Sequence, residues 1–184
     1  MILIVMGVCG SGKTTVGSCL GNKLGWTFYD ADDYHPKGNI DKMSSGIPLN
    51  DQDRVPWLQI LHDIIIREWS SGRNVILACS ALKKLYRQIM AMGSEILHSV
   101  TDEEKYPRKD LLFVYLHGTI ELITKRLAAR KGHYMAENLI QSQFDVLEPP
   151  AEPENFITVE IAKSIPEIVA EIENALYNHG NCSS

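Results

Sequence analysis

Near its N-terminus the chain reads Ile2-Leu3-Ile4-Val5-Met6, followed at once by Gly7-Val8-Cys9-Gly10-Ser11-Gly12-Lys13-Thr14. The second run is a G-x-x-x-x-G-K-T phosphate-binding loop, and the first is the buried strand that such a loop needs before it. Lys13–Leu24 then repeats apolar residues at Val16, Leu20 and Leu24, one face of a helix. Strand, glycine turn and helix in that order place backbone N–H groups and a helix N-terminus around phosphate oxygens. Lys13 adds a positive charge for the β- and γ-phosphates, and the Thr14 hydroxyl suits Mg²⁺. A chain built on this unit is expected to bind ATP or GTP.

The rest of the sequence alternates strand-like and helix-like runs, which predicts a parallel α/β sheet. Strands are expected over Trp26–Asp30, Asn74–Cys79, Leu111–Leu116 and Phe156–Ile161 as well as Ile2–Met6. Helical periodicity marks Asp51–Trp69, Leu82–Ile89, Ile120–Leu127 and a last helix opened by the capping-box spacing of Ser164 and Glu167. Trp57, Trp69 and Phe144 read as core or groove walls. With 184 residues and no internal repeat, one domain over residues 1–184 is expected. Residues 92–110 read as a surface insertion, and residues 130–147 as a lid following a basic cluster.

Composition narrows the class. A net charge of −5 argues against a nucleic-acid footprint. The N-terminal apolar run is too short for a signal peptide, and no run reaches the ~18 apolar residues of a membrane span. Cys9, Cys19, Cys79 and Cys182 have no zinc-site spacing, and the apolar or loop contexts of the first three fit reduced thiols, so a cytoplasmic location is expected. A switch GTPase would carry N-K-x-D, but Asn22-Lys23 leads into Leu24-Gly25. A motor ATPase would end an apolar strand in an acid, whereas Val75-Ile76-Leu77-Ala78 runs into Cys79-Ser80. Carboxylates stand instead at the end of the second strand, in Asp30-Ala31-Asp32-Asp33, where open α/β sheets form their ligand crevice.

Several blocks, in order along nearly the whole chain, resemble the gluconate kinase family, relatives of shikimate kinase and the nucleoside monophosphate kinases. They are the phosphate loop; Asp30-Ala31-Asp32-Asp33-Tyr34-His35-Pro36; Asn39-Ile40-Asp41-Lys42-Met43; Pro48-Leu49-Asn50-Asp51 with Asp53-Arg54; Cys79-Ser80-Ala81-Leu82-Lys83-Lys84 with Tyr86-Arg87; Arg126-Leu127 with Arg130-Lys131-Gly132-His133; and Gln143-Phe144 with Leu147-Glu148-Pro149. Cys9 departs from the serine common among relatives, and the 92–110 insertion is longer than in bacterial ones.

The resemblance implies a five-stranded parallel sheet in the order 2-3-1-4-5, flanked by helices, and an ATP- and Mg²⁺-dependent kinase that phosphorylates D-gluconate at its C6 hydroxyl. Gly7, Cys9, Gly10, Ser11, Gly12, Lys13, Thr14 and Thr15 would line the nucleotide phosphates, with Thr14 and Asp30 toward the metal. Asp32 would take the acceptor's proton, and Arg54 would grip its carboxylate. His35, Lys84, Arg87 and Gln143 would add acceptor contacts, with Lys42 and Lys83 as further candidates. Arg126 would stack on adenine and Arg130 would reach the phosphates on lid closure. A homodimer is expected from resemblance alone. Another small acceptor, such as shikimate or a nucleoside monophosphate, is the competing reading, and a regulatory nucleotide-binding protein a more distant one.

Overall fold

The apolar run Ile2–Met6 forms strand β1 at the centre of the sheet, with all five residues buried. The computed structural model describes residues 1–97, 110–129 and 137–181. The other strands are β2 (Thr27–Asp30), β3 (Val75–Ala78), β4 (Leu111–His117) and β5 (Phe156–Glu160), all parallel, in the order β2-β3-β1-β4-β5. This is the expected order. Register pairs Ile2 with Val75 on one side and with Leu111 on the other.

Alternation along each buried strand sends side chains to two separate layers. Ile2, Ile4, Met6, Leu77 and Phe113 point to the layer closed by α3 (Asp51–Ser70) and α4 (Lys84–Met92). Leu3, Val5, Ile76, Leu112 and Val114 point to the other, closed by α1 (Lys13–Leu24), α5 (Ile120–Ala128) and α7 (Ile165–Asn181). Each fully buried Leu or Ile contributes roughly 1.5–3 kcal/mol, so this double layer fixes the scaffold on which the crevice is hung. Two further helices complete the fold: α2 (Lys37–Ser44), which the periodicity does not mark, and α6 (Glu137–Val146). A capping contact closes the start of α7, where the Glu167 carboxylate accepts the Ser164 N–H at 2.9 Å. Of the two segments set apart in the sequence, residues 98–109 and 130–136 lie outside the described residues.

In α3 the buried positions run Trp57, Leu58, Leu61, Ile64, Ile65, Glu68, so a carboxylate takes the last inward place. Trp69, expected as core or groove wall, is not in the core: it is 48% exposed. The reason is a polar clasp at the end of the helix. Glu68 accepts from Arg73 Nε at 2.5 Å, from Arg67 Nε at 3.0 Å and from Tyr29 Oη at 3.0 Å, joining β2, α3 and the entry to β3. The Arg73 hydrogen bond is the main cause that holds the Glu68 carboxyl at about 2, against the opposing effect of burial. A depressed carboxyl gives stability that is complete above its unfolded value near 4.5 and is lost as pH falls from there toward 2. Glu68→Gln is therefore expected to lower stability at pH 7 and to shrink the loss between pH 7 and pH 3. Urea unfolding at both pH values checks this; an unchanged acid loss in the variant would remove Glu68 from the account.

Candidate active site

Because all five strands are parallel, their C-terminal ends open on one crevice, and the phosphate loop leaves β1 into it. Two glycines show why the loop tolerates no side chain. Gly7 has φ +143°, and a Cβ there would meet Leu116 O at 2.9 Å. Gly10 has φ +81°, and a Cβ would meet Leu127 Cγ at 2.8 Å, so the loop lies tightly on α5. Gly7 N–H donates to Ser80 O at 3.3 Å, which ties the loop to the turn after β3. Ser11 Oγ is buried in the loop with no hydrogen-bond partner, the one such side-chain atom among the described residues. A buried, unpaired hydroxyl in a cradle that glycines keep clear fits a loop shaped for phosphate oxygens.

Lys13 opens α1, and its Nζ donates to Val8 O at 3.0 Å, folding back along the loop. Burial pushes its ammonium below the ordinary lysine value, while the acidic groups around it, Asp30 and Asp32 among them, pull it back up. Thr14 Oγ1 donates to Asp30 Oδ2 at 2.8 Å, so the loop hydroxyl and the strand-end carboxylate expected to share a metal already touch. Thr15 is exposed beside it on the first turn of α1. Asp30 Oδ1 accepts the Asp32 N–H at 3.2 Å, capping a short 3₁₀ turn over Ala31–Tyr34. That turn leaves the Asp32 side chain 87% exposed toward the crevice.

The residues expected to meet an acceptor gather at the starts of α2, α3 and α4. His35 stacks on Trp57 with ring centroids 4.2 Å apart and an interplanar angle of 15°. Trp57 is itself fixed by its indole N–H donating to Ala31 O at 2.8 Å. His35 Nε2 lies 3.9 Å from Asp32 Oδ1, and its pKa is lowered, chiefly by burial, with Asp32 opposing and Arg54 adding to the fall. Asn50 and Asp53 form a reciprocal capping box at the start of α3. Arg54 follows, half-buried, with its guanidinium 5.7 Å from the Tyr86 ring centroid. It stands near enough to His35 and Cys79 to act on both electrostatically. Cys79 beneath them is a buried thiol pushed up to about 12 by desolvation, so it is held protonated.

One of the expected acceptor contacts, that of Arg87, is contradicted, and two others gain a structural partner. Arg87, expected at the acceptor, is 0% exposed and cannot reach it. Its Nε and Nη2 donate to the two Glu154 oxygens at 2.6 and 3.0 Å, and its Nη1 donates to Ala81 O at 3.0 Å and Glu148 O at 2.9 Å. Arg87 is a brace, and the reason is a carboxylate 67 residues away that no local pattern reveals. Lys84 is exposed, and its backbone N–H donates to Glu148 Oε2 at 2.7 Å. Gln143, from α6, meets the phosphate loop: its Oε1 accepts the Cys9 N–H at 2.6 Å.

On the nucleotide side, Arg126 Nη2 donates to Ile161 O just past the end of β5. Arg130 lies outside the described residues. Asp51 and Tyr86, which belong to the blocks that carry the resemblance but have no role assigned from it, also belong to the site. Asp51 accepts from Lys83 Nζ at 2.8 Å and from the Tyr86 hydroxyl.

A phosphate loop on β1 and an acid pair at the end of β2, on a five-stranded parallel sheet, place the chain among the P-loop kinases. A family model described as shikimate kinase matches residues 9–176. A protein from Rattus norvegicus named probable gluconokinase is 54% identical over 179 residues, covering 95% of this chain and 97% of that one. Among solved structures, a gluconokinase from Sinorhizobium meliloti 1021 superposes with TM-score 0.74 at 37% identity, covering 95% and 94% of the two chains. An unliganded sugar kinase from Janibacter sp. HTCC2649 does so at 0.80 and 34%, covering 95% and 93%. The chain belongs to the gluconokinase family, within the wider group that the shikimate kinase model describes.

Proposed function

We propose that this protein transfers the γ-phosphoryl group of ATP to the C6 hydroxyl of D-gluconate, giving 6-phospho-D-gluconate and ADP. The relatives named gluconokinase support the acceptor. Within the site the supporting observation is Arg54, a half-buried guanidinium with no ion-pair partner among the described residues, beside His35 and Asp32. A planar cation left unpaired in a crevice suits an acceptor that brings its own carboxylate.

The chain's residues divide the work. Loop N–H groups and Lys13 hold the β- and γ-phosphates and stabilise the charge that spreads over the transferred group. Thr14 and Asp30 would hold Mg²⁺, which when bound neutralises charge on the phosphates. Arg54 anchors the carboxylate end of the acceptor, and His35, Lys84 and the NH₂ of Gln143 bind its hydroxyls. Asp32 orients the C6 hydroxyl and accepts its proton as the new O–P bond forms and the bond to the ADP oxygen breaks. Positioning of this kind can supply ~7–11 kcal/mol of barrier reduction, so precise placement matters more than covalent chemistry. Arg126 and Arg130 would close over the nucleotide and exclude water, which competes with the sugar hydroxyl. The reading includes a single domain acting as a homodimer in the cytoplasm. Free thiols at Cys9, Cys19 and Cys79 fit that compartment, and no helix among the described residues is long and apolar enough to cross a membrane.

ADP release with Mg-ATP, measured with D-gluconate, shikimate, AMP or no acceptor, tests the assignment. Stimulation by gluconate alone is expected; stimulation by another acceptor would keep the kinase and replace its substrate. Binding of ATP without any acceptor dependence would favour a regulator. For Arg54→Ala we expect the KM for gluconate to rise about 10- to 100-fold, the scale of a hydrogen bond to a charged group, with the KM for ATP little changed. An equal rise in both constants would take Arg54 out of the carboxylate site.

A further inference from the structure

Arg54 is preceded in its own helix by two carboxylates, Asp53 one residue back and Asp51 three back. Residues three apart on a helix share a face, so pairing of Arg54 with Asp51 is the default for this segment. The structure shows another arrangement. Lys83, at the N-cap of α4, donates to both Asp51 oxygens at 2.8 Å, and the Tyr86 hydroxyl donates to Oδ1 as well. Lys42, from α2, donates to Asp53 Oδ1 at 2.6 Å, and Asp53 Oδ2 accepts the Asn50 N–H at 3.1 Å. Each acid is therefore taken by a lysine from a different element, and Arg54 makes no ion pair among the described residues. What it rests on is the Tyr86 ring, which also lies 5.5 Å from Lys83 Nζ. Two cations about one ring repel unless an anion intervenes. Asp51 and Asp53 act on Arg54 only through space while their oxygens bond the lysines, so a direct carboxylate partner for Arg54 is left to a ligand.

We propose that Lys83 and Lys42 are positioning residues for the acceptor: by occupying Asp51 and Asp53 they keep the Arg54 guanidinium uncommitted until a sugar-acid carboxylate arrives. The proposal rests on the assignment of Arg54 to that carboxylate. Neither lysine has to touch the acceptor. Both carboxylates are held below their usual range by these donors, so they are fully ionised at neutral pH and would compete for Arg54 if released.

This predicts rescue. Lys83→Met frees Asp51 to capture Arg54, so the KM for gluconate is expected to rise about three- to tenfold, the scale of one partly exposed ion pair, with the KM for ATP unchanged. Adding Asp51→Asn removes the competitor and is expected to return the KM for gluconate to within about twofold of the starting value, inside the non-additivity expected of coupled neighbours. The experiment compares the full chain with Lys83→Met, Asp51→Asn, the double variant and Arg54→Ala, by steady-state kinetics in both substrates and by thermal unfolding to confirm that each is folded. A double variant as impaired as Lys83→Met would overturn the proposal, since Lys83 would then contact the acceptor itself. So would an unchanged gluconate KM in Lys83→Met alongside a raised one in Arg54→Ala. An unchanged gluconate KM in Arg54→Ala is a different failure, that of the carboxylate assignment.

Discussion

Replacing Lys13 by alanine is expected to lower kcat by about a thousandfold or more, since a donor aimed at developing phosphoryl charge is worth that much in a water-excluded site. The cost corresponds to about 4 kcal/mol of transition-state stabilisation. Stability should hardly move. Among the described residues Lys13 makes a single hydrogen bond, to Val8 O, and alanine is the better helix former at the start of α1. The loop itself is held by other contacts: Gly7 N–H on Ser80 O, Cys9 N–H on Gln143 and the seat of Gly10 against Leu127. The measurement is kcat for gluconate-dependent ADP release next to the thermal midpoint of the same preparation. Near-normal turnover would remove Lys13 from the chemistry. A midpoint lowered by many degrees would mean the lysine is structural and the kinetic loss uninformative.

How far the sequence reached depends on how local each feature is. The phosphate loop was legible because its signature occupies eight consecutive residues between a buried strand and a helix. The strands were legible because burial on both faces makes them continuous apolar runs. Their order came through the resemblance, since periodicity carries no information about which strands are neighbours. Helix α2 escaped because Lys37–Ser44 has no apolar face turned inward; Ile40 and Met43 are 50% and 43% exposed. Trp69 was misplaced because the helical period is right but a carboxylate, Glu68, takes the last inward position. The site was legible in its P-loop and acid pair and illegible where partners come from afar. Asp51 meets Lys83 across 32 residues, Cys9 meets Gln143 across 134, and Arg87 meets Glu154 across 67. Nothing in the run Lys83-Lys84-Leu85-Tyr86-Arg87 distinguishes a solvated arginine from a buried one.

That buried arginine carries the second large effect. Arg87 and Glu154 are each 1% exposed at the side chain, and removing one partner takes a two-point ionic contact from the other in the interior. Arg87→Met or Glu154→Leu is therefore expected to cost about 3–5 kcal/mol. For a chain of this size that lowers the unfolding midpoint by roughly 6–20 °C. The two losses should not add. Arg87→Met with Glu154→Leu removes both charges, so the double variant is expected to be no less stable than the worse single one. It should still fall short of the unaltered protein, because Arg87 also satisfies the carbonyls of Ala81 and Glu148. Those two carbonyls link the brace to catalysis. Ala81 sits at φ 45°, an uncommon conformation for a residue with a Cβ, in the turn whose Ser80 O receives the phosphate loop. Glu148 follows α6, the helix that brings Gln143 to Cys9. Activity in the Arg87 variants should accordingly fall at temperatures where the protein is still folded, while Glu154→Leu alone in an Arg87→Met background restores stability in part and turnover less. Urea unfolding of the four proteins gives the coupling energy, and kcat at a temperature well below each midpoint separates the two effects. Purely additive losses would mean that the pair is not buried as a unit, and normal turnover in the folded variants would confine Arg87 to stability.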